Sequence, residues 1–135
     1  MITTSHDNIV RIYSTETRSL VRNFTGHTGS VFNVVSSADG TKVATCSFDR
    51  SVKIWSLTST GDSVPGHDAR CLCVNFSPNG GVIVTASRDK TLKLWTSAGK
   101  ELITLKGHTS NVFGCAFSPD GERILSAGRD GAWKL

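Results

Sequence analysis

The chain has 135 residues, 38% of them hydrophobic and 19% charged, with a net charge of +4. This is the composition of one folded domain and excludes a disordered tail; no apolar run reaches the roughly 20 residues that a membrane-crossing helix needs. The mild positive charge permits an acidic partner without requiring one.

Read from the N terminus, the chain is a succession of short apolar stretches with no helical period. MITTS (1–5) and IVRIY (9–13) flank SHDN, and ETRSLVRNF (16–24) follows. Next come VFNVVS (31–36), KVATCS (42–47), SVKIW (51–55) and LTSTGDSV (57–64). The same order returns as CLCVNF (71–76), VIVTAS (82–87), TLKLW (91–95) and GKELITL (99–105). It closes on VFGCAF (112–117), RILSAG (123–128) and GAWKL (131–135). SADG, SPNG and SPDG separate the first two stretches of each full unit; Asp-Gly and Asn-Gly between apolar runs are hairpin signals, because glycine takes a positive φ without steric cost. Each unit therefore reads as four short strands, a to d, in about 40 residues.

Two markers fix the repeat. Gly-His opens GHTGSV at Gly26, GHDARC at Gly66 and GHTSNV at Gly107, at intervals of 40 and 41 residues. Asp7, Asp49, Asp89 and Asp130 stand in SHDN, SFDR, SRDK and GRDG, at intervals of 42, 40 and 41. Strand c ends in Trp at Trp55 and Trp95.

A 40-residue period of four strands, with Gly-His and a Trp-terminated strand, resembles the WD40-repeat (WD-repeat) β-propeller family over essentially the whole chain. The implied fold class is all-β: about three and a third repeats of four-stranded antiparallel blades in an incomplete ring. The expected organisation is a single segment, 1–135, divided into a partial unit 1–25 and repeats 26–65, 66–106 and a truncated 107–135. Departures from the family pattern are Tyr13 in the first Trp slot, and Ser14, Ser56 and Thr96 where Asp usually follows the Trp. Pro65 removes a backbone donor, so the strand d before it is expected to be short or frayed.

The resemblance implies what Gly-His is for. The histidine is held by the repeat aspartate, and a hydroxyl links it to the strand c Trp. The sets are His27, Thr45, Asp49 and Trp55; then His67, Thr85, Asp89 and Trp95; and a partial set, His108, Ser126 and Asp130. A hydroxyl stands four residues before the aspartate in every unit (Thr3, Thr45, Thr85, Ser126), which favours it over the nearer Ser47 and Ser87. Buried His and Asp need partners, and linked they staple strands together. Ser, His and Asp are also the residue types of a catalytic triad. The set recurs once per unit, however, and no Gly-x-Ser-x-Gly elbow is present. No catalytic residue, metal site or cofactor is therefore expected; the histidines lie in separate units. The four cysteines lack the two-residue gap of a zinc or redox pair and read as small buried hydrophobes.

The assignment divides fourteen strands as three, four, four and three, so a normal ring cannot close from this chain alone. The preferred expectation is part of a longer propeller protein; self-association of copies is the alternative. On the family's disc, d–a and b–c loops share one face. Ser30, Arg70 and Asn111 project there from the d–a loops, Phe32, Leu72 and Phe113 two residues on, and Phe48, Arg88 and Arg129 from the b–c loops, with His6 as the leading counterpart. Phe32 and Phe113 are equally consistent with blade-to-blade core, and the arginines with a solvated rim. Trp133, in the register of Val52 and Leu92, reads as core between blades.

The expected function is a non-catalytic scaffold for protein–protein interaction in a multi-subunit complex. The alternative is nucleic-acid or phosphate binding by Arg70, Arg88 and Arg129, with dispersed charge and missing RNA-binding motifs against it. MITTSHDNIV lacks the basic and apolar regions of a secretory leader. The expected location is cytoplasmic, with no membrane association, and nucleus or cilium stay open.

Overall fold

The computed structural model describes residues 1–57, 62–64 and 66–135. Among the described residues there are fourteen strands and no helix. They are β1 (Ile2–Thr4), β2 (Val10–Tyr13), β3 (Leu20–Phe24), β4 (Val31–Ser36), β5 (Lys42–Ser47), β6 (Val52–Ser56) and β7 (Asp62–Val64). The chain continues with β8 (Cys71–Phe76), β9 (Val82–Ser87), β10 (Leu92–Thr96), β11 (Glu101–Leu105), β12 (Val112–Phe117), β13 (Ile124–Gly128) and β14 (Trp133–Lys134). Strand β7 is three residues long; Pro65, whose effect was anticipated there, lies outside the described residues. With no helix among them, no described segment can cross a membrane as one.

The strands form four antiparallel meanders in chain order: β1-β2-β3, β4-β5-β6-β7, β8-β9-β10-β11 and β12-β13-β14. The first strand of each sheet stands beside the first strand of the next, β1 by β4, β4 by β8 and β8 by β12. The result is an open ring of propeller blades, not a closed one.

Why these residues make these strands follows from what covers them. In the two four-stranded sheets, β5 (KVATCS) and β9 (VIVTAS) are buried on both faces from their second residue onward. A strand flanked by sheets on both sides loses the apolar/polar alternation and takes small and β-branched residues instead. Between sheets the side chains collect into three clusters. Val10, Phe24, Val31, Val43 and Trp55 join the first and second sheets. Ala44, Cys46, Val52, Ile54, Cys71, Val74, Ile83 and Trp95 belong to the cluster that joins the second and third. Val84, Ala86, Leu92, Val112 and Cys115 join the third and fourth.

Two residues sit differently from their sequence-based placement. Leu72, expected on the open face, is 5% exposed. It lies in β8, the strand held between β4 and β12, and its side chain is shorter than those of Phe32 and Phe113. Trp133, expected in a core, is 75% exposed. Its register is that of Val52 and Leu92, since Trp133 faces Ala127 as they face Cys46 and Ala86. Among the described residues no further sheet stands against it.

Candidate functional site

The first strand of each complete sheet starts from a Gly-His turn, and the second and third are joined by an Asp turn. The two turns meet at one end of the sheet. The Trp55 indole N–H donates to Thr45 Oγ1 at 2.9 Å. The Thr45 hydroxyl in turn donates to His27 Nε2 at 2.8 Å, and the His27 Nδ1–H donates to Asp49 Oδ2 at 2.8 Å. In the third sheet Trp95, Thr85, His67 and Asp89 repeat this at 2.9, 2.8 and 2.7 Å. In the fourth, Ser126 meets His108 Nε2 at 2.9 Å and His108 Nδ1 meets Asp130 at 2.9 Å. In the first sheet Asp7 pairs with Arg11 at 2.6 Å.

The aspartates accept more than the imidazole. The backbone N–H after each histidine donates to the same carboxylate: Thr28 at 2.9 Å, Asp68 at 3.1 Å and Thr109 at 2.8 Å. Ser51 and Thr91, two residues after the aspartate, add hydroxyl bonds of 2.6 Å each. Sequence reasoning overlooked these two, although a hydroxyl at Asp+2 in two units was a visible signal. Ser47 and Ser87, the nearer hydroxyls, bond instead to the carbonyls of Gly29 and Arg70, both at the d–a turn.

Burial alone would raise the Asp49 pKa. The bonds from Ser51, His27 and the Thr28 and Ser51 amides outweigh it and bring the carboxyl down to about 2. The same competition holds Asp89 well below the usual carboxylate range, with His67 and Thr91 as its main donors. His27 is pushed below its ordinary value by burial, against the pull of Asp49. A neutral His27 donating from Nδ1 leaves Nε2 free to accept from Thr45, so the protonation state and the bonding agree. Among the described residues no buried side-chain polar atom lacks a partner, and no group of three or more His, Cys, Asp and Glu could hold a metal ion.

A second arrangement repeats on the face that carries the d–a and b–c loops. Phe48 N–H donates to Ser30 O at 3.0 Å, Arg88 N–H to Arg70 O at 3.0 Å and Arg129 N–H to Asn111 O at 2.8 Å. One backbone bond per sheet thus sets each b–c residue beside its d–a partner. Phe32 and Phe113 are 54% and 52% exposed. Both occupy β-bulges, between Val31 and Asn33 and between Val112 and Gly114, where an extra residue is turned out of the ladder. Phe32 stacks on Phe48 with centroids 5.4 Å apart and 17° between planes. The Arg70 guanidinium, from the next sheet, lies 4.5 Å from the Phe48 ring centre. Phe48, Arg50, Asp68, Ala69, Arg70 and Arg88 line an open depression of about 500 Å³. Arg50 and Asp68 were not singled out from sequence. His6 reaches Ser30 Oγ at 2.9 Å, beside this group. Leu72 does not join it.

The model of the family described as WD domain, G-beta repeat matches residues 18–56, 59–96 and 99–135. The chain belongs to the WD40-repeat family. Among curated WD40-type relatives it is 36% identical over 78 residues to the apoptotic protease-activating factor 1 of Rattus norvegicus, covering 56% of this chain and 6% of that protein. It is 39% identical over 75 residues to the poly(A)+ RNA export protein of Schizosaccharomyces pombe, covering 53% and 21%. It is 38% identical over 62 residues to a U4/U6 small nuclear ribonucleoprotein PRP4-like protein of Arabidopsis thaliana, covering 46% and 11%. The chain therefore spans between 6% and 21% of the length of these relatives. WD40 membership supports, in general terms, a platform for other proteins.

The WD40 units matched are offset from the sheets. Residues 18–56 contain β3 to β6, yet β3 pairs with β2 in the first sheet; likewise 59–96 begins with β7 of the second sheet and 99–135 with β11 of the third.

Proposed function

We propose that this WD40 segment is a non-catalytic scaffold that binds a peptide or domain of another protein within a multi-subunit intracellular complex, as part of a longer propeller protein. The binding face is the one carrying Ser30, Phe32, Phe48, Arg70, Arg88, Asn111, Phe113 and Arg129, while the His–Asp sets act as structural staples. The observation that carries this reading is the stack of exposed Phe32, half-buried Phe48 and exposed Arg70 at a depression that Arg50 and Arg88 also line. Aromatic rings and arginines are the residues that dominate binding energy at protein interfaces, and Arg88 can grip a carboxylate with two parallel hydrogen bonds.

Affinity capture from the native cell, comparing the wild type with a Phe32→Ala/Arg88→Glu variant, tests it. A partner retained by the wild type and lost by a variant of unchanged melting temperature is the expected result. A partner set identical for both overturns the assignment of the face. RNA is the rival, and the names of two relatives concern RNA. Phe48 is half-buried and already packs against Phe32 and the Arg70 guanidinium, which restricts its use as a stacking platform for a base. Steeply salt-dependent RNA binding, abolished by Arg88→Glu/Arg129→Glu, would replace the protein-binding reading.

A further inference from the structure

All four cysteines are free thiols, and they fall in two pairs at successive sheet interfaces. Cys46 of β5 and Cys71 of β8 lie in the one cluster between the second and third sheets, and both are 0% exposed. Cys73 of β8 and Cys115 of β12 meet between the third and fourth. Cys73 packs against the cluster that contains Cys115. The Cys73 thiol also lies 3.6 Å from the Cys115 carbonyl oxygen, and the Cys115 thiol 3.7 Å from that of Val84.

Residues two apart on a strand normally point the same way. Cys71 and Cys73 do not, because the β-bulge at Leu72 falls between them and reverses the alternation. One thiol is therefore delivered to each neighbouring sheet. The pairs differ in access: Cys73 is half-buried, whereas Cys115 is 7% exposed.

We propose that Cys73 and Cys115 form an oxidation-responsive thiol pair that a peroxide closes into a disulfide between the third and fourth sheets, while Cys46 and Cys71 stay reduced. The attacking group is Cys73. Interaction with Cys115 outweighs burial and lowers its pKa to about 7, so thiolate is present at neutral pH. Burial pushes Cys71 the opposite way. The Cys73 thiolate attacks one peroxide oxygen, the O–O bond breaks, and hydroxide leaves and takes a proton to become water. The Cys115 thiol then attacks the Cys73 sulfenic sulfur, forming S–S and expelling a second water. Two thiols lose two electrons and two protons, and one peroxide becomes two waters.

The test treats the reduced, folded chain with hydrogen peroxide, blocks remaining thiols with N-ethylmaleimide and maps the unreduced digest by mass spectrometry. The expected result is loss of two of the four thiols, with a Cys73–Cys115 cross-linked peptide that dithiothreitol reverses. Cys46 and Cys71 should take up the reagent only after denaturation. In a Cys115→Ser variant, dimedone should trap the sulfenic acid at Cys73. The proposal fails if all four thiols survive, if Cys46–Cys71 cross-links as fast, if Cys73 pairs between chains, or if it passes to sulfinic acid without cross-linking. Should the variant not fold, the wild-type map decides alone.

Discussion

Thr85 is a fully buried hydroxyl whose bonding capacity is filled from both sides, by the Trp95 indole N–H and the His67 ring. A polar group in that position resists substitution because each partner it abandons stays buried. The same logic makes Asp89 the most informative residue to remove. Asp89→Ala orphans the His67 Nδ1–H, the Thr91 hydroxyl and two backbone amides. We expect a loss of about 1–3 kcal/mol in urea unfolding, and an unchanged midpoint would show that the staple is not structural. Acid should act through the same groups. The folded Asp49 pKa of about 2 lies below the unfolded value of about 3.9, so its stabilising effect is complete above pH ~4 and disappears as pH falls toward the folded value. His27 is likewise lowered, so protonation favours the unfolded chain, and its contribution, complete above the unfolded value of about 6.5, is lost on further acidification. The melting temperature should therefore begin to fall between pH 7 and 5, and His27→Gln should flatten that part of the profile. The residue types of these sets were legible because they recur at fixed spacing. The depression at Arg50 and Asp68 was not, because it arises only when a b–c turn and the following d–a turn come together in space.

At the scale of the element, turns carry the sharpest constraints. Gly66 has no room for a side chain: a Cβ there would meet the Arg50 carbonyl oxygen at 1.9 Å, the same oxygen that accepts from His67 N–H. Gly114, on β12, has open space around it. Gly66→Ala should therefore lower the melting temperature by several degrees or prevent folding, while Gly114→Ala should change it little. Differential scanning fluorimetry of the two variants side by side checks this. The residue after each repeat aspartate takes the left-handed conformation, Asn8, Arg50 and Lys90 at φ 68°, 75° and 73° and Gly131 at 74°. Non-glycine residues are strained there by roughly 1–2 kcal/mol. Lys90→Gly should thus stabilise the chain, by about 1 kcal/mol after the added backbone entropy of glycine is subtracted. Strand order was readable from periodic turns and apolar runs. The bulges at Phe32, Leu72 and Phe113 were not, because a bulge is a mismatch between two strands and neither strand's residues announce it alone. That is why the divergence of Cys71 and Cys73 went unnoticed.

For the molecule as a whole, the His–Asp sets close within single sheets, and apolar clusters, with a few polar bonds such as Lys42 Nζ to Ser97, join the sheets. Each cluster is confined to one interface, so stability should behave as a chain of nearest-neighbour terms. Val10→Ala, in the first interface, and Val112→Ala, in the third, should each cost about 1.5 kcal/mol or more. Together their costs should add to within about 0.5 kcal/mol; a larger coupling in a double-mutant cycle would mean the sheets do not behave as separate neighbours. Trp133 shows the limit of reading burial from register: the pairing alone cannot say whether another sheet stands opposite. The offset between WD40 units and sheets has a practical side for anyone trimming or splicing such chains. Excising residues 99–135 at the unit border would carry off β11 and strip β10 of its outer hydrogen-bonding partner. A clean excision has to follow the meanders, with its cut after β11, so that no bare ladder is left for another chain to seize.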